Sequence, residues 1–385
     1  MRKLFSKMDI PLLLLTIFFI VVGLVMIYSA SSVSSVVRYG YEPYHFFVRQ
    51  AIFVLVSLIF CFIFILRVPT RTYQALAWPA VIIIIISLIY LFVNGKITNN
   101  AISWYDLKFF SLQPSEFAKS ILIVFSAVYY NKLYYRKVKN IYSYLIPLGF
   151  GVIIAGLVAM QPDLGSAAII GGIVFLTFIS IPIVQNNLLK FIKIFAVAIV
   201  LAVIVILYSG NGILNSMQMD RLTFQNPCSR YTETTGYQVC NGFIAINNGG
   251  LFGVGLGNST QKYLYLPESH TDFIYPIIVE ELGLIFGIFI IIAYFIMLLR
   301  ILKIARNSEN LRCSVIAYGT FWFLTLHILI NLLGVLALIP LTGVPLPLLS
   351  YGGSFTVNII VMLFLVQRVK IENEINKTKR EIKAL

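Results

Sequence analysis

Ten runs of mostly apolar residues, each close to the length of a bilayer-crossing helix, leave this chain few folds to choose from. They start near Pro11, Ala51, Ala75, Leu112, Ile141, Leu164, Lys190, Phe273, Cys313 and Tyr351. A spanning helix needs roughly 20 such residues, because each rises about 1.5 Å across a hydrocarbon core of about 30 Å. Composition agrees: 59% of the 385 residues are apolar and 11% are charged. Soluble domains run nearer half and a quarter, and disordered chains lower still in apolar content. The first run is too long for a removable signal peptide and lacks an Ala-x-Ala cleavage site. Four cysteines and three histidines are too few and too scattered for a zinc framework. The reading is an all-α integral membrane protein, a single polytopic domain over 1–385 with about ten transmembrane helices.

The formal charge of +14 would suit a nucleic-acid binder, but its placement argues otherwise. Ten spans put both termini on one side. The segments on that side hold 21 of the 29 basic residues, including Arg67, Arg71, Lys132, Arg136, Lys193, Arg300 and Lys303. That bias is what the positive-inside rule expects of cytoplasmic loops. The basic tail, 369–385, is then a cytoplasmic topology signal lying against anionic lipid, with no nucleic acid involved.

One segment does not fit a plain bundle. Residues 209–272, ahead of the eighth span, form a long extracellular loop rich in Gly, Asn, Thr, Tyr and Gln. Loops of that length are functional or disordered, and its apolar punctuation, from Phe243 to Tyr265, favours order. Chemistry is therefore expected on this loop and on the outer ends of helices. Cys228 and Cys240 fall together in it, on the side that permits oxidation, and are either a disulfide or two free thiols. The glycine-dense stretch from Gly249 to Gly257 follows no βα pattern, so it reads as a compact re-entrant turn rather than a nucleotide loop. Residues Pro340 to Ser354 read as a second broken element on the same face.

Charged residues beside apolar runs are functional candidates by default. Glu116 and Lys119 open the fourth span, where a capping or self-neutralising pair is the plain alternative. Asp163, in Gln161-Pro162-Asp163, suits a helix cap. Glu280 and Glu281 need a cation from another span or a polar cavity. Asp272 stands where the long loop meets the eighth span, with Glu268 and His270 nearby. It is either a helix N-cap or a carboxylate able to act as general base or to hold a divalent ion near a phosphate-bearing substrate.

Taken in order, these segments resemble the SEDS family, the FtsW/RodA/SpoVE group of peptidoglycan glycosyltransferases. The resemblance rests on Tyr28-Ser29-Ala30-Ser31, Ala101-Ile102-Ser103-Trp104, Gln113 to Lys119, Gln161 to Gly165, Gly236-Tyr237-Gln238, the Gly249–Gly257 run with Lys262, Leu266 to Ile274, Glu280 to Gly283, and Leu346 to Ser354. It spans nearly the whole chain and leans toward FtsW more than RodA. Departures are Asn100, Ser103 and Phe355, which bear on the outer mouth.

The resemblance implies an inverting polymerisation of lipid II at the outer face of the bacterial cytoplasmic membrane, in division or elongation, releasing undecaprenyl pyrophosphate. It implies Asp272 as the catalytic carboxylate, with substrate contacts from Trp104, Glu116, Lys119, Lys262, Glu268, His270, Ser350 and Tyr351. It also implies a divalent cation, Mg or Mn, and a class B penicillin-binding protein as partner. A lipid II flippase or a scaffold for a transpeptidase remain alternatives. The flippase would need polar groups along a path through the membrane.

Overall fold

The structure, a computed structural model, describes residues 5–98, 101–107, 110–138, 140–182, 193, 224–232 and 234–384. The apolar run opening near Lys190, the loop residues 209–223, Asn100 and the basic residues Arg2, Lys3 and Lys139 lie outside the described residues.

The described helices are α1 (Ile10–Tyr39), α2 (His45–Phe60, continued by a π-turn over Cys61–Ile65) and α3 (Tyr73–Asn94). Then follow α4 (Pro114–Tyr135), α5 (Ile146–Met160), α6 (Leu164–Ile179), α7 (Thr234–Gly249), α8 (Ile274–Arg306), α9 (Leu311–Val335) and α10 (Gly353–Ala384). Among the described residues, seven helices are long and apolar enough to cross a membrane. They are accompanied by α4, of similar length but more polar, and by α6, apolar but only 16 residues long. The chain is a multi-pass membrane protein.

Sequence chemistry sets several boundaries. Asp9 caps α1, its Oδ1 accepting from the Leu12 amide at 3.0 Å, with Pro11 in the first turn where no amide hydrogen is needed. Asp163 caps α6 in the same way, accepting from Ser166 N at 3.0 Å. Among the described residues the fold is all-α apart from the segment before α4. There β1 (Lys96–Thr98), β2 (Ala101–Asp106) and β3 (Ser111–Leu112) form a small antiparallel sheet in the order β1-β2-β3. Branched and aromatic residue types, common in this stretch of sequence, favour pleated structure, and the strands are too short to register as a period.

The core joins α1, α4, α8, α9 and α10, with Phe19, Ile277, Phe323 and Phe364 fully or almost fully enclosed. In contrast, α2 and α3 expose rows of large apolar side chains, including Ile52, Leu55, Ile59, Ile82, Ile83 and Ile86. In water that would be a liability; in a bilayer these are lipid-facing helices.

Two non-helical segments penetrate the bundle. At Gly283 (φ 86°) α8 breaks, and the glycine loop threads the break. Val254 N and Gly255 N donate to the carbonyls of Glu280 and Glu281 at 2.9 and 3.0 Å, while Leu284 N donates to Gly250 O at 2.9 Å. Backbone groups freed by the kink are thus satisfied by protein, as the absence of water in hydrocarbon demands. A Cβ on Gly283 would collide with the Leu251 carbonyl. The second segment, 336–352, buries Leu346, Leu348, Leu349 and Ser350 and reaches Gly23 at mid-α1.

Candidate functional site

Where the second segment meets the start of α8, Thr271, Glu268 and Gly343 gather around Asp272. Its Oδ1 accepts from the Thr271 hydroxyl at 3.0 Å, and Glu268 Oε2 lies 3.0 Å from that same hydroxyl. One hydroxyl therefore lies between two carboxylates. Gly343 faces the other oxygen: a Cβ built there would sit 3.6 Å from Asp272 Oδ2. The capping alternative is not what holds Asp272, because the N-cap of α8 is Phe273 and no side chain caps it.

The backbone of Asp272 is held from below. Asn331 on α9 donates through Nδ2 to Asp272 O and to Val344 O, both at 2.8 Å. One turn earlier on α9, His327 Nδ1 lies 3.4 Å from Pro345 O, and its Nε2 is 3.1 Å from Lys119 Nζ. Lys119 in turn pairs with Glu116 at 2.7 Å, both nearly inaccessible. Polar contacts so connect the mouth of the site to the charged pair that opens α4. Glu116 and Lys119 are thus interior groups behind the site, with Glu116 Oε2 still unpartnered. The capping alternative for this segment fails too: the cap of α4 is Gln113, without a side-chain bond.

Above the carboxylates, His270 is buried beneath Phe46 and Tyr351, with ring centroids 4.6 and 5.7 Å away. Tyr351 N donates to His270 O at 2.9 Å. Burial pushes the His270 imidazole down to about 4; Glu268 opposes this and Arg38 reinforces it. His270 is therefore neutral near pH 7, and its Nδ1 has no partner. Burial raises the Tyr351 phenol, while a hydrogen bond and the charge of Arg49 act the other way.

Two cations that the sequence reading passed over stand at this face. Arg38 Nη1 is 3.8 Å from Glu268 Oε1, and exposed Arg49 bonds Tyr351. Both were legible in one respect, since they are cations the positive-inside bias leaves unexplained. His327 and Asn331 were legible as polar residues four apart inside an apolar run.

The remaining candidates are placed less directly. Lys262 is buried and occupied by Glu281 (3.0 Å), Ser29 (3.2 Å) and the Gly257 carbonyl. The cation that Glu281 needs thus comes from the loop, not from another span. Glu280 is satisfied by Ser259, Thr260 and Asn248. Ser350 is fully buried, its hydroxyl accepting from Leu346 N at 2.8 Å, so it shapes the segment from within. Trp104, partly buried, sits on β2 opposite Lys96. The adjoining Ser103 is buried with its hydroxyl unpartnered. Cys228 and Cys240 are joined in a disulfide, Cα atoms 4.9 Å apart, tying the turn Pro227–Arg230 to α7.

Among the described residues, no group of three or more His, Cys, Asp or Glu side chains could cage a metal ion. At this site Glu268 and Asp272 offer two hard oxygen donors around the Thr271 hydroxyl. A Mg or Mn ion there fits only if water or phosphate oxygens complete its shell, which is how Mg commonly binds.

The family profile described as "Cell cycle protein" (FTSW_RODA_SPOVE) matches residues 10–375. The chain is 34% identical over 385 residues to the Bacillus subtilis protein named "Probable peptidoglycan glycosyltransferase FtsW", covering 99% of this chain and 95% of that one. It is 33% identical over 358 residues to the same organism's "Stage V sporulation protein E", covering 90% and 92%. Among solved structures, a chain from work titled "Structural coordination of polymerization and crosslinking by a peptidoglycan synthase complex" superposes with TM-score 0.74. The identity is 23%, over 95% of this chain and 98% of that one. The Thermus thermophilus rod shape determining protein RodA gives 0.66 at 24% identity, over 94% and 96%. At such identities the superpositions establish the fold.

Proposed function

Because the chain belongs to the family of FtsW, RodA and SpoVE, we propose that it is a peptidoglycan glycosyltransferase that polymerises lipid II. The observation that carries the reading is the pair of carboxylates around the Thr271 hydroxyl, set at a helix start with Arg38 and Arg49 beside it. The reaction joins an acceptor sugar hydroxyl to the anomeric carbon of a lipid-linked sugar. The C–O bond to pyrophosphate breaks, and the configuration inverts.

Asp272 takes the proton from the acceptor hydroxyl as its oxygen attacks, which requires an ionised carboxylate within hydrogen-bond reach. Glu268 and Thr271 orient that carboxylate, and Asn331 fixes its backbone. Arg38 and Arg49 attract the leaving pyrophosphate, for which planar guanidinium groups are suited. Trp104, on β2 before α4, is the aromatic that the family resemblance assigns to the sugar head, and an indole face suits stacking on a sugar ring. A divalent cation held by Asp272 and Glu268 together with phosphate oxygens would supply further neutralisation of the leaving group.

The Asp272 end of the bundle faces outward and both termini are cytoplasmic, in keeping with the basic bias of the opposite end. A partner follows from the chemistry, because polymerised strands must still be cross-linked. A single-span class B penicillin-binding protein docked on α8 and α9 would place cross-linking beside polymerisation. The role is division-type rather than elongation-type, given the FtsW names among the relatives.

Purified protein in proteoliposomes supplied with lipid II tests the activity. Glycan polymer is the expected product. Transbilayer movement of lipid II without polymer would replace the reading with a flippase, and neither product would leave a scaffold.

A further inference from the structure

At the end of the bundle away from Asp272, the start of α1, the end of α8 and the second half of α10 border a half-open cavity of about 490 Å³. That volume falls within the range of small-ligand sites. The activity proposed above makes no use of it.

The cavity has two kinds of wall. Met8, Ile10, Pro11 and Ile304 supply apolar lining, and polar and charged side chains supply the rest. Most of those charges are already matched. Arg300 holds Asp9 through two contacts of 2.6 and 3.1 Å, Lys370 pairs with Glu374, and Glu309 pairs with Arg380. Lys303 and Lys377 are different: both line the cavity, both are exposed, and neither makes a close salt bridge among the described residues, Lys377 acting on the already paired Glu374 only at longer range.

The apolar wall continues beyond the cavity. On α1, Ile10, Leu14, Ile17 and Val21 recur at helical spacing and are 46%, 60%, 47% and 53% exposed. On α8, Leu299, Phe295, Ile292 and Ile288 form a matching exposed row leading away from Lys303. The helices lie side by side and antiparallel, joined by Asp9–Arg300 at the cavity, Phe18–Phe289 midway and Ser29–Glu281 beyond. A soluble anion would need only the two lysines. A wall that runs on into a lipid-facing groove suits an anion that carries acyl chains.

We infer that this cavity binds the phosphate headgroup of an anionic membrane phospholipid, with its phosphate at Lys303 and Lys377 and its chains along the α1–α8 groove. Basic pockets between membrane helices hold anionic headgroups in this manner, and lysine stems lie readily along apolar surface.

Native mass spectrometry of the full chain in detergent, given equal amounts of phosphatidylglycerol and phosphatidylcholine, tests the inference. One phosphatidylglycerol should be retained in preference. The double variant Lys303→Gln/Lys377→Gln should lose roughly thirtyfold of that preference. Lys303→Arg/Lys377→Arg, which keeps the charge, should retain it, and this guards against a folding defect. Equal retention of the two lipids by the wild type would overturn the inference, leaving the cavity to an acidic segment of a protein. An unchanged preference in the Gln variant would overturn it as well. Displacement of the lipid by millimolar inorganic phosphate would assign the lysines to a free anion instead.

Discussion

Asn331 and Asp272 are joined side chain to backbone: one carboxamide nitrogen donates to the Asp272 carbonyl and, at the same 2.8 Å, to that of Val344. The two segments that form the mouth of the site, one entering α8 and one leaving α9, are fixed to each other at that point. The side chain is almost wholly buried, so the bond does not compete with water.

Replacing Asn331 with Ala should therefore move the carboxylate more than it weakens substrate binding. The expected outcome is a fall in kcat on the order of 100-fold, the cost of misplacing a reacting group by about 1 Å. KM for lipid II should change much less. A variant that raises KM and spares kcat would assign Asn331 to binding.

The charged pair behind the site gives a stability prediction. Lys119→Met leaves Glu116 buried without its cation, which costs about 3–5 kcal/mol in comparable pairs. The double variant Glu116→Gln/Lys119→Met removes both charges and should recover most of the loss. Thermal unfolding in detergent would show it as a ranking of midpoints, with the double variant above Lys119→Met.

The disulfide between Cys228 and Cys240 closes a short loop that packs on α7. In the chain-entropy picture such a closure contributes about 3 kcal/mol to the order of the loop. Peptide mapping without reduction should recover the two cysteines linked. Recovery of both as alkylated thiols, from protein kept oxidised, would show that packing alone holds the loop.

Much of the fold is legible in the sequence. Apolar runs mark helices because bilayer thickness fixes their length, and Asp163 caps α6 through a local contact three residues on. The Glu116–Lys119 pair is likewise one helical turn apart. Contacts across the bundle were not legible. Glu281 finds its cation on a loop lysine because the break at Gly283 admits the glycine loop, and no local pattern reports that. The sheet around Trp104 was missed because its strands are two to six residues long. Arg38 and Arg49 gained meaning only when Glu268 and Tyr351 were placed beside them.

His270 makes the site sensitive to acid. Its folded pKa lies near 4, below the usual 6.5, so the unfolded chain binds the proton more readily. Stability from this residue is complete above about pH 6.5 and is lost as the pH falls toward 4. Unfolding midpoints between pH 7 and 4.5 should fall less steeply for His270→Gln than for the wild type. Parallel slopes would mean that other groups carry the acid response.

The most direct test compares lipid II polymerisation by the purified wild type and by Asp272→Asn. Asn keeps the shape and much of the hydrogen bonding of Asp but cannot take a proton, so general-base catalysis worth about 10²–10⁴-fold should disappear. The variant should insert, unfold at the wild-type midpoint and yield no detectable glycan polymer. Polymer formation near the wild-type rate by a well-folded Asp272→Asn protein would contradict the assignment of Asp272 as the base.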